Sequence, residues 1–284
     1  MRKKITSRSL RLKKERGEPI SMLTAYDYPT ALAIDQAEID SILVGDSLGM
    51  VVLGYENTLP VTMEDMLHHC RAAARGATFA LLVGDMPFMS YQADVADAVR
   101  NAGRFLQEAG MDAVKLEGGR ERVDAIRAIV GAGIPVMGHL GLTPQSVNQF
   151  GGFRAQGQTT FAAKQLLEDA HLLQEAGCFS MVLESVPVRL AELVSQRLEI
   201  PTIGIGAGVG CDGQVLVTHD LLGLFDRFTP RFVKRYASLH EEMNKAFSAY
   251  KTEIIEKSFP AAEHTFTMKD DQWDALLQDI GGQS

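Results

Sequence analysis

The chain has 284 residues, room for one large domain or two modest ones, and 46% of them are hydrophobic. A formal net charge of −8 argues against a nucleic-acid binder, and no apolar run approaches the ~18 residues that span a bilayer. Cys70, Cys178 and Cys211 have neither metal-ligand spacing nor an even count, so they read as reduced, structural thiols.

Residues 2–16 are polar and basic and lack the apolar segment of a secretory signal. They predict a solvated N-terminal helix or arm over 1–19. From residue 20 onward strand and helix patterns alternate. Strands are expected at 20–26, 41–46, 79–85, 113–117, 134–139, 180–184 and 201–205. Helices are expected at 29–38, 63–75, 93–109, 120–130, 161–176 and 188–198. The third strand is preceded by a Thr62-x-x-Asp65 capping pattern opening the second helix, and Gly110 stops the long third one. A short stretch at 214–217 follows the seventh strand, and the eighth strand is expected at 231–236. Residues 237–257 form a terminal helix pattern. From Met268, with Trp273, Leu276 and Leu277, the chain reads as a small amphipathic docking helix or a frayed tail. Strict alternation of this length predicts a single-domain α/β fold, a (β/α)8 TIM-type barrel over 20–266 with extra terminal helices and a C-terminal tail at 267–284.

Four of the strands end on an acid: Leu43-Val44-Gly45-Asp46, Leu82-Val83-Gly84-Asp85, Val114-Lys115-Leu116-Glu117 and Val182-Leu183-Glu184. Strand ends of a barrel share one face, so these acids are expected to meet in one pocket. Carboxylates gathered without partners call for a cation, and Mg²⁺, with one or two carboxylates and the rest water or substrate oxygen, suits Asp46 and Asp85 best. Glu117 is expected to add a direct or water-mediated contact. The glycine before each aspartate would let an ion or ligand approach the backbone. Helix N-capping or a salt bridge to Lys or Arg is the competing account of these acids.

Lys115 and Glu117 lie two residues apart and share one side of their strand. Among acids the ammonium form of Lys115 is favoured, which suits an electrostatic role toward a substrate oxyanion; a structural ion pair with Glu117 is the alternative. His139 ends a fifth strand and is either structural or part of the site. Glu184 has no basic neighbour in sequence, and a poorly solvated carboxylate there suits a general base, unless it caps the following helix. The Gly204-Ile205-Gly206-Ala207-Gly208 run lacks the context of a dinucleotide loop and reads as a tight turn leaving room for a bulky ligand. The glycine-rich segment 150–157 suits a mobile lid.

Extended motifs carry a resemblance beyond these patterns. Thr24-Ala25-Tyr26-Asp27, Leu43 to Met50, Thr58-Leu59-Pro60-Val61-Thr62, Asp85-Met86-Pro87-Phe88, Val114 to Gly119 and Gly138 to Ser146 resemble ketopantoate hydroxymethyltransferases. Leu183-Glu184, Gly204 to Gly208, Asp212-Gly213-Gln214 and Glu263-His264-x-Phe266 extend the likeness in order from about residue 5 to 266. Thr267 to Ser284 lie beyond it. The resemblance implies a cytoplasmic homodecamer that makes 2-dehydropantoate from 3-methyl-2-oxobutanoate and 5,10-methylenetetrahydrofolate, in pantothenate biosynthesis, through a Mg²⁺-stabilised enolate. It further implies Asp46 and Asp85 as metal ligands with Glu117 acting through water. Ser47, Lys115, Asp46 and Asp85 would contact the oxo acid, His139 would orient it or relay a proton, and Glu184 would accept the proton. A 2-oxo acid aldolase or lyase on the same barrel, and a non-catalytic metabolite-binding barrel, are the rival readings.

Overall fold

A computed structural model describes residues 2–150 and 156–281. Eight parallel strands close into a barrel in chain order. They are β1 (Ile20–Thr24), β2 (Ser41–Val44), β3 (Leu81–Asp85), β4 (Ala113–Glu117), β5 (Val136–Gly141), β6 (Ser180–Glu184), β7 (Thr202–Ile205) and β8 (Gly213–Leu216). Closure runs through β1 and β8, from Ile20 opposite Gly213 to Leu23 opposite Leu216. The helices of the barrel unit begin with α1 (Ser7–Glu15), α2 (Tyr28–Gln36), α3 (Leu48–Val51), α4 (Met63–Gly76) and α5 (Val95–Ala109). They continue with α6 (Val123–Gly131), α7 (Val147–Phe150), α8 (Thr160–Glu175), α9 (Val188–Arg197) and α10 (Thr218–Leu221).

The strands are apolar on both faces because each face is covered, one by the lumen and one by helices. Alternate residues accordingly fall into two clusters. Leu43, Val83, Ala113, Met137, Val182, Ile203 and Val215 pack together in the lumen, while Val44, Leu82, Val114, Leu116, Met181 and Leu183 join the helix layer. The inward columns change character as they rise. Two residues beyond Val83 comes Asp85; beyond Ala113 come Lys115 and Glu117; beyond Met137 comes His139; beyond Val182 comes Glu184. The lumen is therefore apolar at its N-terminal end and charged at the C-terminal end, where this architecture holds its active sites.

The basic N-terminal segment forms the expected helix, but it is seated on the barrel and not freely solvated. Leu10 of α1 is fully buried in the lumen cluster. Lys4, Lys13 and Lys14 pair with Asp112, Asp40 and Asp212 at 2.7, 2.6 and 2.8 Å. These acids precede β4, β2 and β8, so the lysines seat the helix across the N-terminal mouth. Leu10→Ala is expected to cost about 2–5 kcal/mol by urea denaturation; a loss below about 1 kcal/mol would contradict the plug.

Helix starts follow local chemistry. Thr62 and Asp65 exchange the reciprocal bonds of a capping box at α4, and Asp94 accepts from the Ala96 and Asp97 amides to open α5. The eighth strand departs from expectation. It is Gly213–Leu216, whereas 231–236 holds turns and bends without strand. With four residues, one of them an exposed Gln214, β8 carries too little apolar pattern to announce itself; pairing on both sides makes it a strand.

The chain separates into two compact units, Met1–Tyr236 with the barrel and Ala237–Ser284. The second unit thus takes in residues 237–266, which the sequence pattern attaches to the barrel. It contains α11 (Leu239–Ile255) and α12 (Asp270–Gly281), neither of which has a buried residue. Of the expected lid, residues 151–155 lie outside the described residues.

Candidate active site

The acids and bases singled out above converge at the C-terminal ends of β2 to β6. Asp46, Asp85, Lys115, Glu117 and His139 are each no more than 4% exposed. Lys115 Nζ lies 2.7 Å from Asp85 Oδ1 and 4.0 Å from Glu117 Oε1. His139 stands between two acids, with Nδ1 3.4 Å from Glu117 Oε1 and Nε2 3.3 Å from Glu184 Oε2. Its Nδ1 is also 3.3 Å from Lys115 Nζ. Ser47 lies at the start of α3, and its hydroxyl is 2.9 Å from that of Tyr26.

Capping does not account for these acids. Asp46 Oδ2 accepts from the Gln145 side chain at 2.9 Å, and its amide donates to Asp85 Oδ2 at 3.2 Å. Pro187, not Glu184, stands at the start of α9. Glu184, without a basic neighbour in sequence, has one in space: His139, distant along the chain but on the adjacent strand of the β5–β6 pair, supplies a partner. The register explains it, since His139 pairs with Val182 and Gly141 with Glu184 on neighbouring strands.

Burial sets the charge states. It pushes the Asp46 carboxyl well above the ordinary range, and repulsion from Asp85 and Glu117 adds to the rise. Asp85 is raised by burial too, with Lys115 offsetting part of it. Burial also acts on Glu117, but His139, Lys115 and the Gln145 amide outweigh it and hold this acid below its usual value. Lys115 loses by burial and gains more from Asp85, Glu117 and Asp46, so it stays charged. His139 is raised to about 9, because Glu117 and Glu184 overcome burial and the Lys115 charge.

A cavity of about 780 Å³ opens beside this cluster. Its wall reaches the cluster through Glu117 and Gln145, and includes Phe88, Tyr91, Arg122 and Asn148. The Arg122 guanidinium sits 5.8 Å from the centre of the Tyr91 ring.

The profile of the ketopantoate hydroxymethyltransferase family matches residues 4–262. The chain belongs to this family. A 3-methyl-2-oxobutanoate hydroxymethyltransferase of Syntrophus aciditrophicus (strain SB) is 59% identical over 264 residues, covering 93% of this chain and 97% of that protein. One of the same name from Enterococcus faecalis (strain ATCC 700802 / V583) is 58% identical over 273 residues, 96% of this chain and 99% of that one. Among solved structures, a phosphonopyruvate hydrolase superposes with a TM-score of 0.61 at 12% identity, over 98% of this chain and 99% of that one. A 2,3-dimethylmalate lyase of the PEP mutase/isocitrate lyase superfamily gives 0.56 at 14% identity, over 98% of each chain. At such identities these two likenesses speak for the barrel fold alone.

In this member of the family, packing corrects two glycine expectations. A Cβ at Gly84 would come within 2.4 Å of the Phe105 ring, so this glycine admits α5 to the barrel wall rather than a ligand to the backbone. Gly206 and Gly208 have positive φ, and Cβ atoms there would lie 2.7 Å from Phe232 and Val188. The tight turn is present as expected, but the space a Cβ would take at these two positions is held by Phe232 and Val188 and not left for a ligand. Cys70 and Cys178 are buried, which raises both thiols, Cys178 to about 12, and makes them poor nucleophiles. Sequence patterning misses Tyr91 and Gln145 as site residues. Both are buried polar side chains, Tyr91 reaching in from the connection after β3 and Gln145 from the single 3₁₀ turn Pro144–Ser146 after β5, where neither period nor strand-end position marks them.

Proposed function

We propose that the enzyme transfers a hydroxymethyl group to 3-methyl-2-oxobutanoate to give 2-dehydropantoate, with 5,10-methylenetetrahydrofolate as donor and Mg²⁺ as cofactor. The observation that carries the chemistry is the surplus of buried carboxylates over cations around Lys115, with Glu184 across His139 from them. Family membership supports the choice of substrate.

The residues fit a divalent cation. Asp46 and Asp85 are buried side by side and both pushed toward neutrality by burial, a cost that a cation would remove. Asp85 Oδ1 is fully buried and, apart from its ion pair with Lys115, accepts no well-formed hydrogen bond, so it has capacity left for a cation. Among the described residues no three His, Cys, Asp or Glu side chains form a complete metal cage. Mg²⁺ does not require one, because water and substrate oxygens fill its octahedron. Asp46 and Asp85 would hold it, with Glu117 acting through water. When bound, Mg²⁺ supplies a Lewis acid for the oxygens of the 2-oxo acid.

The protein groups do the rest. Lys115, held charged by its acids, places positive charge where the oxo acid gains negative charge as its C3–H bond breaks. Ser47, fixed by Tyr26, and His139 hold the substrate. Glu184 accepts the C3 proton, and His139 orients its carboxylate. The C3 electron pair then forms the bond to the methylene carbon as the first of its two C–N bonds breaks; water displaces the second nitrogen and supplies the hydroxyl, and the proton taken from C3 and the remaining water proton end on the two freed folate nitrogens. The cavity beside Glu117 has far more room than a five-carbon acid fills and suits a bulky donor. A homodecamer working in the cytoplasm belongs to the same reading.

Proton NMR in D₂O tests it. Exchange of the C3 proton of 3-methyl-2-oxobutanoate is expected with Mg²⁺ and not after chelation, and 2-dehydropantoate is expected once methylenetetrahydrofolate is added. Exchange without product would move the function to an aldolase or lyase. Neither exchange nor product would end the catalytic reading.

A further inference from the structure

In each of the three buried acids of the cluster, one oxygen is held by an amide. Asp46 Oδ2 accepts from Gln145 Nε2 at 2.9 Å, and Glu117 Oε2 accepts from the Gln145 backbone N–H at 3.0 Å. Asp85 Oδ2 accepts from the backbone N–H of Asp46 at 3.2 Å. Two of these restraints therefore come from one residue, and the third comes through the residue that Gln145 holds. The opposite oxygens of Asp85 and Glu117 turn to Lys115.

Gln145 is itself locked. It is 5% exposed, and its second Nε2 hydrogen goes to the Met86 carbonyl at 3.0 Å. Its Oε1 accepts from the Tyr91 hydroxyl at 2.7 Å and from Gln92 Nε2 at 3.0 Å. A flipped amide would set its oxygen against a carboxylate and a carbonyl, and its N–H₂ against two donors, so one orientation is enforced. Tyr91 ties the pair together again, because its hydroxyl also accepts the Glu117 backbone N–H at 3.1 Å. Gln145 lies in the turn just after β5, so it links the ends of β2 and β4 through an element belonging to neither.

We propose that Gln145 is a positioning residue that orients Asp46 and Glu117 and thereby sets the affinity of the site for a divalent cation. The proposal rests on the metal reading above. A side chain that only filled space would leave cation affinity unchanged when replaced by one of similar length. One that aims carboxylate oxygens would not, since partners of this kind are worth 10- to 100-fold in metal affinity.

The test uses the full-length enzyme without substrate and Mn²⁺ as the probe, with free Mn²⁺ read by electron paramagnetic resonance. Gln145→Met keeps the length and the backbone N–H to Glu117 but removes the donor to Asp46. Its Mn²⁺ affinity is expected to fall about 10- to 100-fold, with an unchanged circular dichroism spectrum. Tyr91→Phe, which removes one hydroxyl from Gln145 and Glu117, is expected to weaken Mn²⁺ about 2- to 10-fold. A folded Gln145→Met protein binding within twofold of the parent overturns the proposal. Should that variant not fold, parental affinity in Tyr91→Phe overturns it instead. A parent enzyme that binds no Mn²⁺ removes the metal reading, and this role with it.

Discussion

Replacing Lys115 with methionine is expected to cost both stability and turnover. The ammonium lies 2.7 Å from Asp85 and is almost wholly buried, in a pocket it shares with Asp46 and Glu117. Methionine fills a similar volume but leaves these acids without their fixed cation. Breaking a buried pair from one side costs about 3–5 kcal/mol, because the remaining charge is stranded in a poorly solvating medium. The acids would respond by taking up protons, as burial already inclines Asp46 and Asp85 to do. On the mechanism proposed above, loss of this charge is expected to lower C3-proton exchange about 10²–10³-fold. Chemical denaturation and the D₂O exchange assay measure the two effects separately. Added Mg²⁺ should restore part of the stability and little of the rate. A metal-free variant as stable as the parent would show that Lys115 does not compensate the acids.

Glu184→Gln is expected to divide those effects differently. Glu184 keeps part of its side chain exposed, and its charged contact among the described residues is His139 at 3.3 Å. The amide retains shape and polarity and can still accept from His139, so stability should move by less than about 1 kcal/mol. Proton acceptance is lost outright, and exchange of the C3 proton should fall about 10²–10⁴-fold. Cation binding, which depends on the opposite wall of the pocket, should stay at the parental level. Exchange at the parental rate in this variant would remove Glu184 from its role.

Much of this site can be read along the chain because a parallel barrel makes position in a strand equivalent to position in space. Asp46, Asp85, Glu117, Glu184 and His139 each follow a short apolar run, and each run ends on the same face. Lys115 is legible for the same reason, two residues below Glu117. Gln145 and Tyr91 are not, because they come from connecting segments whose path no period describes. Helix α5 shows the same division at smaller scale. Its capping residue Asp94 and stop at Gly110 are local chemistry, while the need for glycine at position 84 comes from the Phe105 ring of that helix meeting the barrel wall.

By itself, then, the order of residues determined the alternating units, the parallel barrel and the set of strand-end acids. Each follows from short-range period and from the closure of a twisted sheet. Tertiary structure alone decided three things. The basic N-terminal helix became a plug because its lysines meet acids at the starts of β2, β4 and β8. A four-residue segment became β8 because the barrel had an edge on either side for it to pair with. The orientation of the acids went to Gln145, because a hydrogen bond answers to distance and angle, and neither is written in sequence separation.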